Sequence, residues 1–130
     1  MSDRQRYTQP LSGGIAAGAS EVWNQVASIP NGETGAITAI RFMPATNVTA
    51  HDSNYADLSV EIAGTEVASE QTTTGDTGDL TAGTEIELAL LSVSLEVSDG
   101  DLISVKKTHA SSGAVLDGTV TIDVQLFRAA

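Results

Sequence analysis

Residue types able to do chemistry are few in this sequence, and they are scattered. His51-Asp52-Ser53 holds the three residue types of a hydrolase triad, but as consecutive residues. A triad works because its members converge through space, with a general base aimed at a nucleophile, and adjacency in sequence gives no such geometry. The other histidine, His109, leads into Ser111-Ser112-Gly113 and reads as a surface residue of a loop. Asp76-Thr77-Gly78-Asp79, at the tip of a Thr- and Gly-rich run from Glu70 to Gly83, is the stretch that invites a cation. It lacks the alternating ligands and the bidentate glutamate of a calcium-binding EF-hand, so a solvated loop is the reading. A pair of carboxylates could converge as in glycoside hydrolysis, yet no spacing singles one out. There is no nucleophile elbow and no phosphate-binding loop. The expectation is a protein that is not an enzyme, with no catalytic residues, no cofactor and no metal.

Charge narrows the partners. Seventeen acids against six bases give a formal charge of −11. Nucleic acids and anionic lipid surfaces select basic footprints, so neither a nucleic-acid nor a membrane partner is expected. The absence of cysteine excludes disulfides, thiolate metal sites and thiol catalysis. No apolar run approaches the length of a membrane-spanning helix. Met1 to Pro10 is polar and has no apolar signal-peptide core, so synthesis in the cytoplasm is expected and the Asn47-Val48-Thr49 sequon carries no meaning.

Against this acidic background, two of the six bases lie near the start of the chain. Residues 1–20 read as an extended N-terminal arm, with Arg4 and Arg6 available to acids on a partner and Tyr7 and Pro10 beside them. Arms of this kind lose ordering entropy on binding but cover much surface. On that reading these four residues are the contacts to the partner, and deleting Met1 to Gly14 leaves the fold intact and abolishes that binding. Two further residues stand out as subunit-interface candidates. Arg41 interrupts an apolar run, and a charge there either snorkels to the rim or pairs across an interface. Trp23, the one tryptophan, belongs to the core or to an interface.

The elements that must position these residues are strands. Helical periodicity is absent, whereas period-two alternation recurs. Val120, Ile122, Val124 and Leu126 alternate with Thr119, Thr121, Asp123 and Gln125; Leu58, Val60 and Ile62 alternate with Asp57, Ser59 and Glu61. Val22 to Ile29, Thr65 to Ser69, Thr84 to Leu91 and Val93 to Ser98 supply further strands. Asp99-Gly100 is a hairpin signal before Leu102, Ile103 and Val105. Ala36 to Met43 is apolar on both faces, as in a central strand covered on both sides. Seven or eight short strands separated by turns define an all-β protein, an antiparallel β-sandwich spanning residues 21–130. The Cys-Trp-Cys spacing of immunoglobulin domains is missing, and the turn-strand-loop-strand ending favours a jelly roll.

Four stretches carry a resemblance: A-I-T-A-I-R-F-M-P-A (Ala36 to Ala45), Y-A-D-L-S-V-E-I from Tyr55, V-S-D-G-D-L-I-S-V (Val97 to Val105) and the closing T-V-T-I-D-V-Q-L-F. Together they resemble the small jelly-roll capsid decoration proteins, or head-stabilising proteins, of tailed bacteriophages, over roughly Val22 to Phe127. Tail and fibre modules share such patterns. The resemblance implies a structural protein on the outer surface of a virion capsid, acting as a homotrimer that bridges major capsid protein subunits. It implies no metal or cofactor. The other reading is a carbohydrate- or receptor-binding jelly roll of a phage fibre, disfavoured by the scarcity of aromatics able to stack on a sugar.

Overall fold

The computed structural model describes residues 2–11, 20–27, 33–91, 95–98, 100–109 and 117–127, with backbone alone at 2–4, 20–27 and 109. Within them lie the strands β1 (Ser2–Leu11), β2 (Ser20–Ala27), β3 (Thr34–Pro44), β4 (Ala56–Ile62), β5 (Thr65–Gln71), β6 (Ile86–Glu87), β7 (Glu96–Ser98), β8 (Ile103–His109) and β9 (Gly118–Phe127), and no helix. One sheet has the order β1-β9-β3-β6, with β7 also paired to β3; the other has the order β2-β8-β4-β5. Every pairing is antiparallel.

β6 lies against Arg41–Phe42 and β7 against Thr34–Ala36, so the two are pieces of a single lane along β3. Counting that lane once, and leaving aside the short crossing to β5 between its two pieces, successive strands alternate between the sheets at every step except the β4–β5 hairpin. That is the jelly-roll arrangement, and the protein is an all-β sandwich. The inner faces supply the core: Ile37, Ile40, Phe42, Val120, Ile122, Val124 and Leu126 from one sheet meet Leu58, Val60, Ile62, Ile103 and Val105 from the other, all buried. Aliphatic side chains dominate, as so few aromatics require.

Four expectations are corrected. First, Ser2–Leu11 is not an arm but an edge strand, paired with β9 along its whole length from Ser2↔Phe127 to Leu11↔Gly118. Leu11 is buried, and Tyr7 packs against the core from the inner face. Pro10 is compatible with this because an edge strand has one side that needs no donor. The rest of the expected arm, residues 12–19, lies outside the described residues. Second, Asp99-Gly100 does not close a hairpin. β7 belongs to one sheet and β8 to the other, so the tight turn carries the chain between sheets. Gly100 has φ 89° there, and Ser98 N donates to Asp101 Oδ2 across it at 2.9 Å.

Third, β3 is apolar on both faces because it carries a β-bulge, not because both faces are covered. Its register to β9 slips between Ile37 and Ala39. The extra residue, Thr38, shifts the alternation by one position. Ile37 and Ile40 therefore both face the core, while Ala39 sits opposite Asp123 on the outer face. Fourth, Thr84 to Leu91 is mostly not a strand of one sheet. After Ile86–Glu87 the chain crosses to the other sheet, where Leu90 bridges Ala68 and Leu91 N donates to Val67 O at 2.8 Å. Val93 and Ser94 lie outside the described residues.

Candidate functional site

The outer face of the β1-β9-β3 sheet gathers most of the residues that stood out in sequence. Pairing in register places Arg6 opposite Asp123. Arg41 lies opposite Thr121, one step along β9 on the same face, and opposite Glu87 of β6. Arg6 Nε donates to Asp123 Oδ1 at 2.8 Å, and Arg41 Nη1 donates to Asp123 Oδ2 at 2.6 Å. One carboxylate is thus held between two guanidinium groups from the strands on either side. Arg41 Nε also approaches Glu85 Oε1 at 3.7 Å, and the bulged Thr38 donates its hydroxyl to the Asp123 carbonyl at 3.3 Å.

Exposure ranks these contacts. The Asp123 side chain keeps 17 % of its surface in water and Arg41 30 %, whereas Arg6 keeps 66 %. The Arg41–Asp123 bond is therefore the better shielded; the Arg6 arm is a surface ion pair, screened by salt and worth little on its own. The hydrogen bond from Arg6, with that from Arg41, holds the Asp123 carboxyl below the usual carboxylate range, although partial burial opposes the shift. The same bond raises the Arg6 guanidinium further above its ordinary value. Both groups stay charged across the physiological range. The arrangement fixes the positions of the charged groups on this face.

The other candidates fall elsewhere. Arg4 is at the register position opposite Gln125, two residues before Arg6. Tyr7 occupies the inner face and donates to Gln5 Oε1 at 3.3 Å, and burial raises its phenol pKa. Pro10 is exposed near the end of β1. Trp23 lies in β2, in the opposite sheet, with its backbone opposite Val105; its side chain is outside the described residues. The six are thus not one cluster. Arg6 and Arg41 are brought together through Asp123, and Arg4 joins their neighbourhood by register. Sequence reading missed Asp123 itself, which looked like one more polar residue of an alternating strand. Its signal was being the sole acid among the outward Thr119, Thr121 and Gln125.

The loop end of the sandwich resolves the remaining chemistry. His51 Nδ1 accepts from the backbone N–H groups of Ser53 and Asn54, at 3.0 and 2.8 Å. The His51-Asp52-Ser53 run is thus a local turn device. Asp52 Oδ1 accepts from Thr74 N at 2.9 Å and from its hydroxyl at 2.7 Å, which lowers the Asp52 pKa. Asp79 accepts from Ala50 N and Asp76 from Gln71 N. Asp52 and Asp79 thus staple two loops together, helped by the Val48–Leu80 bridge, while Asp76 bonds within its own loop. Among the described residues no group of three or more histidines and acids is placed to hold a metal ion. Beneath the loops, Phe42, Leu58, Glu70, Thr77, Leu80 and Ile86 line a recess of about 10 Å³, room for roughly one water. Burial raises the pKa of Glu70 at its rim, and the neighbouring Asp76 adds to the rise.

At the sandwich's other end two large apolar side chains, Phe127 and Leu102, are partly exposed beside Thr34 and Ser98. Phe127 closes β9, and Leu102 precedes β8 beside the β4–β5 turn, where Ala63 N donates to the Leu102 carbonyl at 2.8 Å. Register joins Phe127 to Thr34 and Thr34 to Ser98, so both side chains flank the β7–β8 connection. They are 50 % and 38 % exposed.

No family model and no curated protein matches the sequence. Among solved structures, the chain is similar to one in the structure of infectious bursal disease virus Gt strain, at 14 % identity and a TM-score of 0.32. That likeness covers 98 % of this chain and 37 % of the viral one, so the chain spans little over a third of its neighbour. A superposition this loose identifies no relative.

Proposed function

We propose that this chain is a structural virion protein that decorates the outer surface of a tailed-phage capsid, as a homotrimer bridging major capsid protein subunits. The observation that carries the reading is where the four resembling stretches fall. Ala36–Ala45 forms most of β3, the stretch from Tyr55 forms β4, Val97–Val105 links β7 to β8, and the closing stretch is β9. These are the central planks of both sheets in a jelly roll, the fold that the resemblance implies.

Docking is assigned to the end that carries Phe127 and Leu102. β1 is engaged with β9 and is not a free arm, whereas Phe127 and Leu102 expose apolar surface at one pole of the sandwich. The test is co-sedimentation with expanded shells of the cognate major capsid protein. Wild-type protein is expected to saturate the shells, and Leu102→Asp with Phe127→Asp to lose occupancy without losing thermal stability. Folded wild-type protein that stays in the supernatant overturns the reading. Binding on a glycan array would then favour the fibre-type module.

A further inference from the structure

The outer face of the β1-β9-β3-β6 sheet carries an alternation that stops at its edges. β1 presents Arg6, with Arg4 two residues before it; β9 presents Asp123; β3 presents Arg41. The β6–β7 lane and its approach then carry Glu85, Glu87 and Glu96, all exposed. Charge thus changes sign at each step across the sheet, and strand direction reverses at each step as well. A plank added beyond β6–β7 would continue both patterns if it were cationic and antiparallel to them. β1 is both.

We propose that copies of this chain join side by side through this sheet, the basic β1 edge of one copy against the acidic β6–β7 edge of the next. Three of the chain's six bases, Arg4, Arg6 and Arg41, belong to this sheet. In a chain of charge −11, most random encounters are repulsive, so a local patch of opposite sign sets orientation. The same chemistry disfavours the two-fold alternative, in which two β1 edges would set arginine against arginine. β6 and β7 are two and three residues long, too short for a main-chain ladder, so charged side chains make the seam. Such a contact uses two different surfaces, and repetition closes it into a ring or extends it as a filament. A closed ring of three is the trimer proposed above, and the inference rests on that reading for the ring's size.

Light scattering after size exclusion, at low and at high salt, tests it. Wild type is expected at a multiple of 13.4 kDa at low salt and to dissociate as salt rises, because exposed charges are screened. Arg6→Glu and Glu87→Arg are each expected to fall to 13.4 kDa, and the two together in one chain to recover the wild-type mass. Circular dichroism checks that each variant is folded, and the wild-type salt titration decides the matter if one is not. A monomeric wild type, an assembly indifferent to salt, or single swaps that keep the full mass would overturn the seam. Two or four copies with the swap pattern intact would keep the seam and remove the trimer. Three copies resistant to the swaps would do the reverse.

Discussion

Leu11→Ala separates an edge strand from a loose arm. Leu11 is 4 % exposed, belongs to the continuous core cluster, and lies opposite Gly118, where no side chain competes for the space. Truncating a buried leucine loses its transfer free energy and leaves a cavity, at about 2–5 kcal/mol. At the end of an edge strand the surroundings can partly close in, so the lower part of that range, about 2–3 kcal/mol, is expected. For a domain of this size each kcal/mol shifts the melting temperature by roughly 3–5 °C, so the midpoint should fall by about 6–15 °C. Urea unfolding should show the same loss with an unchanged slope. Thr8→Ala, on the exposed face of the same strand, is the control and should stay within about 0.5 kcal/mol. If Leu11→Ala is as silent as Thr8→Ala, β1 does not dock on β9 in solution. By the same reasoning, deleting residues 1–11 should not spare the fold, because it bares the edge of β9 and invites aggregation.

Gly118 has φ +152°, and an added Cβ would strike the Met43 carbonyl oxygen and lie 2.8 Å from the Phe42 ring, so Gly118→Ala should cost at least about 3 kcal/mol in urea unfolding. Asp123 has a folded-state pKa below its unfolded value of 3.8; its stabilisation is therefore present above about pH 4 and lost as pH falls through the depressed value. Asp123→Asn should be about 1–2 kcal/mol less stable than wild type at pH 7, with the gap closing below about pH 4 in thermal melts. Lys106 and Lys107 are sequence neighbours on opposite faces, and Lys107 is fully buried. An amine reagent should modify Lys106 at once and Lys107 only on opening, and equal rates by mass spectrometry would contradict that placement.

What was legible in the sequence was whatever repeats with period two. β4 and β9 alternate cleanly, and both lie where their patterns put them. β1 hides because its inner face is Gln5, Tyr7, Gln9 and Leu11, too polar to look buried, and its stability comes from a partner more than a hundred residues away. The bulge in β3 hides as an apolar run, since one inserted residue turns alternation into apparent two-sidedness. Asp99-Gly100 specifies a tight turn but not which strands the turn joins. The ion cluster was half legible: Arg6 stood out with Arg4 as a base near the start of an acidic chain and Arg41 as a charge in an apolar run, and only the register of β1 and β3 on β9 reveals that they share Asp123. Lys107 was opaque, because a lysine at the end of a strand is expected at the surface.

The place of β9 has a consequence for how the protein is made. Of the described strands, β9 comes last in sequence yet lies between β1 and β3, which are among the first. A ribosome-bound chain can close the β4–β5 hairpin early, but β1 has no strand to pair with until residues 118–127 emerge. The β1-β9-β3 sheet therefore forms only after residues 118–127 have emerged, by the long-range closures that make folding slow. Until then the inner faces of β3 and β4 are open to solvent, and the net negative charge keeps such unfinished chains apart.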